Sequence, residues 1–273
     1  MPLKNSTREK IVIIIQARLG STRLPGKVLK PLAGEKLLLR IYERVTFSKI
    51  ADEIIIATTN SEKDDVLAEI CKNENIKCFR GSEDDLLDRH YKAGIESGAD
   101  VVVKIPSDCP LIDYRVINKV LKFYLENKEK YDFVSNLHPA TYPDGNDVEV
   151  IPMNILKIAF NEAGSQMERE HTTPYIWERP ERFRIGNSVW EKGFDYSMKY
   201  RFTIDYPEDY DFVKTVYDEL YFRNHKFSLN DILKLLKKKP EIKKINEKYA
   251  GVNWYKEHLD ELKTINKDQT KII

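Results

Sequence analysis

The chain has 273 residues, 41% hydrophobic and 33% charged, enough to bury a substantial core in a soluble globular fold. Its formal net charge of +1 supplies neither a global basic field for nucleic acid nor an acidic tail, so any anion must be bound by a local cluster. Three cysteines (Cys71, Cys78, Cys109) are too few and too dispersed for a disulfide framework and lack the close spacing of a zinc site, which fits a reducing cytoplasm. The polar stretch Met1 to Lys10 lacks the apolar segment of a signal peptide, and no apolar run approaches the roughly 20 residues that span a bilayer.

Ile11 to Ile15 is an unbroken β-branched run, the pattern of a strand buried on both faces. A loop containing Gly20, Pro25, Gly26 and Pro31 follows, then helical spacing from Lys36 to Ile50 and a strand from Glu53 to Thr59. Ser61 and Asp64 have the spacing of a capping box for a helix to about Asn73. Ile76 to Phe79 predicts a short strand, and Ser82 with Asp85 can cap a helix through Ser97. Asp100 to Ile105 reads as a buried strand entering Pro106-Ser107-Asp108-Cys109-Pro110; a helix capped by Asp113 then runs to about Asn127 and a strand covers Tyr131 to Asn136. Strands alternating with helices indicate an α/β fold with a mostly parallel central sheet flanked by helices, whose ligands bind beyond the carboxyl ends of the strands.

From Leu137 the rhythm changes. Thr141-Tyr142-Pro143-Asp144-Gly145 is turn-like, Asp147 to Ile151 alternates like an exposed strand, and helices are predicted at Asn154–Ala163 and Glu168–Glu178, with a strand near Phe183–Val189. This inserted α+β region, about 137–200, covers the open edge of the sheet within a domain of residues 1–224. Pro207 opens a helix to Asn224. Residues 225–273 form a Lys-rich helical extension, read as a solvated face, whose last residues from Thr264 are expected to fray.

Chemistry concentrates in the first loop. Two glycines, Ser21, Thr22 and the cations Arg18, Arg23 and Lys27 suit phosphate oxygens, although a Gly/Pro connection would also use some of these residues. The loop is not a P-loop, because five residues separate Gly20 from Gly26 and Val28 stands where Ser or Thr is required. Asp108, after a buried strand, can hold Mg²⁺; Asp205, before Pro207, reads on its own as a helix cap. Tyr142, Asp144, Asp147 and Glu149, and Glu170, His171 and Tyr175, look like polar walls for a small hydroxylated or charged molecule. Cys109 beside Asp108 is disfavoured as a nucleophile, since a neighbouring carboxylate opposes the thiolate.

Gln16-Ala17-Arg18-Leu19-Gly20-Ser21-Thr22-Arg23-Leu24-Pro25-Gly26-Lys27 closely resembles the opening of the acylneuraminate and 3-deoxy-manno-octulosonate cytidylyltransferases, most of all their spore coat polysaccharide biosynthesis branch. Phe79-Arg80-Gly81-Ser82, Asp108-Cys109-Pro110-Leu111-Ile112-Asp113, Tyr142-Pro143-Asp144-Gly145, Glu168 to Tyr175 and Asp205-Tyr206-Pro207 match in family order over roughly residues 11–220. The resemblance implies a GT-A-like, Rossmann-like nucleotidyltransferase fold and displacement of pyrophosphate from CTP by an acceptor oxygen. It implies that Arg18, Ser21, Arg23 and Lys27 hold the triphosphate, with Gly20 in that loop; that the backbone at Gln16 and Ala17 reads the base; and that Arg80, Gly81 and Ser82 line the nucleotide. Asp108 and Asp205 would carry Mg²⁺, and the segments around Tyr142–Glu149 and Glu170–Tyr175 would meet an acidic or phosphorylated acceptor destined for a surface polysaccharide. It also implies a homodimer, without nucleic acid or membrane. Ser107 departs from the Gly that relatives often place before this Asp. Open alternatives are a nucleotidyltransferase using another NTP, a nucleotide-sugar glycosyltransferase and a non-catalytic nucleotide-binding protein.

Overall fold

The β-branched run after Lys10 becomes β1 (Ile11–Gln16), an interior strand of a seven-stranded sheet, in the computed structural model, which describes residues 8–272. Its five apolar residues are at most 1% exposed: Ile11, Ile13 and Ile15 enter one core, Val12 and Ile14 the other. The absence of alternation in the sequence is therefore the signature of helices on both faces. In chain order there follow the short hairpin β2 (Pro31–Leu32) and β3 (Glu35–Lys36), α1 (Leu37–Thr46), β4 (Glu53–Thr59), α2 (Asp65–Asn73), β5 (Lys77–Gly81), α3 (Leu86–Glu96), β6 (Val101–Pro106) and α4 (Tyr114–Asn127). β4 and β6 flank β1 in parallel, and β5 pairs in parallel with β4.

The far side of the sheet comes from the inserted region, with β7 (Phe133–Ser135), β8 (Glu149–Pro152) and β9 (Ile185–Asn187) giving the order β5-β4-β1-β6-β8-β7-β9. β8 runs antiparallel between β6 and β7, so the expectation of an exposed strand at Asp147–Ile151 is corrected: Glu149, Val150 and Ile151 are all buried. The polar residue in that alternation is satisfied by a partner strand, because Glu149 registers opposite Lys104 of β6 and ion-pairs with it. The expected helix Glu168–Glu178 is two helices after α5 (Met153–Glu162): α6 (Gln166–His171) and α7 (Pro174–Trp177). They are separated by Thr172 at φ 73° and by Pro174, which starts α7 at its first position.

α8 (Pro207–Leu220), α9 (Leu229–Lys238) and α10 (Pro240–Lys244) pack against the β1–α1–α4 core through Phe212, Val216, Leu229, Ile232 and Ile242. The remaining chain to Ile272 crosses back as a strap. It is not frayed as expected: Leu262 and Ile265 are buried in the second core, and the Thr264 backbone N–H donates to buried Glu178 (3.0 Å). Ile273 lies outside the described residues. Among the described residues no helix is long and apolar enough to cross a membrane.

Candidate active site

The parallel strands β1, β6 and β7 end at one rim, and a cavity of about 840 Å³ opens above it. One wall is the loop after β1, contributing Gln16, Ala17, Arg18, Gly20, Ser21, Arg23 and Lys27. That loop is anchored by a residue whose role was misread as a helix cap. Asp64 is buried, accepts the Leu19 backbone N–H (2.8 Å) and accepts the Thr59 hydroxyl, whereas Ser61 makes no side-chain cap. Lys27, 9% exposed, points its ammonium between two carboxylates: Nζ lies 3.0 Å from Asp108 Oδ2 and 3.3 Å from Asp205 Oδ1, and donates to the Ile204 carbonyl at 2.6 Å.

Asp108 and Asp205 are held close because the Ile204 backbone N–H donates to the Asp108 carbonyl (2.8 Å). Asp205 also pairs with Arg23 (3.0 Å) and Arg201 (2.7 Å). Burial would raise the Asp205 pKa, yet Lys27, Arg201 and Arg23 hold it well below the usual carboxylate range. Asp205 does not cap α8 with its side chain; Asp209 accepts the backbone N–H groups of Asp205 and Tyr206 (3.0 Å each). Arg201, 3% exposed, was not legible as a site residue, yet it joins Asp144 (3.2 Å), Asp205 and Asp209 (3.1 Å).

The opposite wall carries Tyr142, Asp144 and Asp147, with Glu170 and His171 from α6. Gly145 lets this turn dock: at φ +95°, an added Cβ would lie 2.7 Å from the backbone of Phe202 and Thr203. The docked turn accepts the Phe202 N–H on the Asp144 carbonyl (2.8 Å). Burial, then neighbouring acids, pushes Asp147 up to about 6 and Asp144 well above its ordinary value, although Arg201 pulls the latter down. His171 is depressed to about 3 by burial and then by Lys104 and His258, so it is neutral at physiological pH. Its ring stacks on Trp254 of the strap with centroids 3.7 Å apart.

Five expected residues lie elsewhere. The Arg80 guanidinium donates to the carbonyls of Thr59 and Ser61 (2.9 Å each) and pairs with Asp65, bracing β4 against α2. At Gly81 an added Cβ would meet Phe79 at 2.8 Å and the Arg89 stem at 3.2 Å, so its contribution is space. Ser82 accepts the Asp85 N–H (3.1 Å), and Asp85, not Ser82, caps α3. Glu149 is consumed by Lys104 and the Thr173 hydroxyl, and Tyr175 donates to Glu162 (2.5 Å) beneath Arg179.

Arg89 on α3 is a missed lining residue. It is 3% exposed, and among the described residues its Nε and Nη1 have no hydrogen-bond partner. Burial and nearby Arg18 lower its pKa to about 10, leaving a buried cation that an anion would satisfy. Cys109 is pushed well above its ordinary pKa by burial and then by Asp147 and Asp108, against a nucleophilic role. The loop from β1 thus offers guanidinium, ammonium and backbone groups for phosphates beside two carboxylates, facing a separate polar and aromatic wall.

A model of the cytidylyltransferase family matches residues 12–238. The spore coat polysaccharide biosynthesis protein SpsF of Bacillus subtilis is 33% identical over 236 residues, 85% of this chain and 95% of that protein. A 3-deoxy-manno-octulosonate cytidylyltransferase of Francisella philomiragia is 32% identical over 196 residues, 67% of this chain and 76% of its own length. A solved structure of a cytidylyltransferase from Leptospira borgpetersenii matches with a TM-score of 0.81 and 35% identity, over 86% of this chain and 97% of that one. The expected α/β nucleotidyltransferase fold is the one observed, and the chain belongs to the cytidylyltransferase family.

Proposed function

We propose that this enzyme transfers CMP from CTP to a hydroxylated, acidic or phosphorylated small molecule such as a sugar acid, in a Mg²⁺-dependent reaction that releases pyrophosphate and serves surface polysaccharide biosynthesis in the cytoplasm. An acceptor oxygen forms a bond to the α-phosphorus, and the bond from that phosphorus to the bridging oxygen of the β-phosphate breaks, so pyrophosphate carries away the electron pair. The observation that carries this reading is the convergence of Arg18, Arg23, Lys27 and unpartnered Arg89 on the rim that also holds Asp108 and Asp205. The acceptor chemistry is suggested by the octulosonate named for the Francisella relative and the polysaccharide named for the Bacillus one.

The donor set fits Mg²⁺: two carboxylates already face one cationic position, with oxygen ligands only. Among the described residues no group of three or more His, Cys, Asp or Glu side chains could hold a metal alone, so substrate phosphates would have to complete the shell. Asp108 and Asp205 would hold the ion, whose chemistry is to neutralise charge on phosphoryl oxygens. Electrostatics supports this reading, because the two carboxylates beside Lys27 would repel a triphosphate. Arg18, Arg23 and Lys27 orient the phosphates, and the acceptor meets the wall from Tyr142 to Asp147 and His171. A homodimer remains part of the proposal.

The test is pyrophosphate release with each of the four NTPs, Mg²⁺ and a panel of sugar acids and sugar phosphates that includes 3-deoxy-manno-octulosonate. Release with CTP alone is expected, abolished in a folded Asp108→Asn variant. No release with any NTP, together with CTP binding that Lys27→Ala leaves unchanged, would overturn the reading.

A further inference from the structure

The family model ends at residue 238, but the cavity does not. Trp254, Tyr255, Glu257, His258 and Asp268 all line it, and all lie in the strap beyond that limit. The strap is seated by several independent contacts. Arg201, the residue that ties Asp144 to Asp205, also donates to the Val252 carbonyl. The Lys271 N–H donates to the Gly251 carbonyl (2.7 Å) and the Asn253 N–H to the Thr270 hydroxyl (3.2 Å), closing the strap into a loop. Buried Glu178 accepts the Thr264 N–H, and Leu262 and Ile265 fill the second core.

The seated strap touches both sides of the cavity. Glu257 lies 3.6 Å from Arg23 on the donor loop, while Trp254 covers His171 at 3.7 Å and His258 meets the same ring edge-on at 5.5 Å. We propose that the strap, residues 250–272, is the specificity-determining wall of the acceptor pocket, with Trp254 and His258 setting which polyhydroxylated acceptor fits. Flat aromatic surface takes the C–H face of such a molecule, while Asp147, Glu170 and Asp268 accept from hydroxyls. His171 is neutral, so it offers a hydrogen bond and no charge to a carboxylate there. Trp254 and His258 lie outside the shared family segment, so they can change while that segment is kept, which is what a specificity element requires.

This inference rests on the cytidylyltransfer reading, and one experiment separates them. Pyrophosphate release from CTP is measured against 3-deoxy-manno-octulosonate, N-acetylneuraminate and sugar phosphates for the full chain and for Trp254→Ala, Trp254→Phe and His258→Gln. Trp254→Ala is expected to raise the KM of the best acceptor at least about tenfold, to leave the CTP KM within about twofold and to reorder the panel. Trp254→Phe should restore most of the loss, and His258→Gln should shift acceptor KM in the same direction. The thermal shift induced by CTP reports whether each variant is folded; should Trp254→Ala fail it, His258→Gln carries the test. A loss equal for every acceptor, a change confined to CTP, or no change overturns the specificity role. Absence of release by the unsubstituted chain with every acceptor sinks both readings, whereas release with an unaltered acceptor ranking sinks only this one.

Discussion

The two halves of the cavity are built in different ways. The half proposed to hold the donor is almost contiguous: one loop, from Gln16 to Lys27, supplies most of its cationic and backbone groups, and Asp64, Arg89, Asp108 and Asp205 join it from afar. The acceptor half gathers Tyr142 to Asp147, Glu170 and His171, Arg201 and the strap, which are spread over more than a hundred positions. Their electrostatics differ too. On the donor side, the charged residues that the loop from β1 contributes are all cations, Arg18, Arg23 and Lys27, and Asp108 and Asp205 pair with Lys27. On the acceptor side, the cations near Asp144 and Asp147 are already engaged, Arg201 by Asp209 and Asp205, and Lys104 by Glu149. Most of the cationic groups of one wall thus come from one short segment, whereas the opposite wall is assembled from many.

Substitutions can break or sharpen that contrast. Arg201→Ala is expected to cost the most, on the order of 3–5 kcal/mol in denaturant unfolding, since it takes their cation from Asp209 and Asp144 and one of three from Asp205. A cost below about 1 kcal/mol would show that the halves are not joined through this residue. Lys27→Ala should lower kcat/KM for CTP by about 10²–10³, as loss of one positioned charge does in other phosphate and oxyanion sites, while a Tyr142→Phe variant leaves CTP KM unchanged. Gly145→Ala should destabilise by about 1–3 kcal/mol through its positive φ and the contact with Phe202, and should raise acceptor KM more than CTP KM.

The smallest effect concerns pH. A carboxylate whose folded pKa is raised to about 6 binds its proton more tightly folded than unfolded, so its contribution favours the fold below about 4 and is lost as pH rises through 6. Asp147→Asn should therefore stabilise the protein at pH 7, raising Tm by about 2–4 °C if the gain is on the order of 1 kcal/mol, and flatten the pH dependence between 4 and 7. An unchanged or lower Tm at pH 7 would remove Asp147 from the strained acidic wall. Comparison with the glycine and arginine variants then separates docking of the turn from its charge.

Most of the sheet was legible because burial on two faces leaves β-branched runs without alternation at Ile11–Ile15 of β1, Ile54–Ile56 of β4 and Val101–Val103 of β6. β8 was misplaced outside because alternation normally signals solvent, and here its polar residue Glu149 is paired across the ladder with Lys104. A lysine inside the otherwise apolar run of β6 was the available signal. Asp108, Lys27 and the Tyr142 turn could be found from local residue types, but Asp64 has the spacing of a capping box and Arg201 belongs to no local motif. Only three-dimensional proximity distinguishes those uses. Arg80 and Tyr175 show the converse: residues in motif-bearing segments can serve the scaffold. The strap left no local trace, since its contribution depends on where Leu262 and Ile265 anchor it.

The reversed direction of β8 has a consequence for how such an enzyme can diversify. β7 ends and β8 begins at the same rim, so the connection from Asn136 to Val148 leaves and re-enters the sheet on the side of the cavity. Insertions or exchanges in that connection alter the wall proposed for the acceptor, while β6, which bears Lys104 and leads into Asp108, keeps its register. For an engineer, this loop and the strap are two interchangeable parts on a fixed chassis, and libraries confined to them would explore new acceptors without rebuilding the grip on the nucleotide.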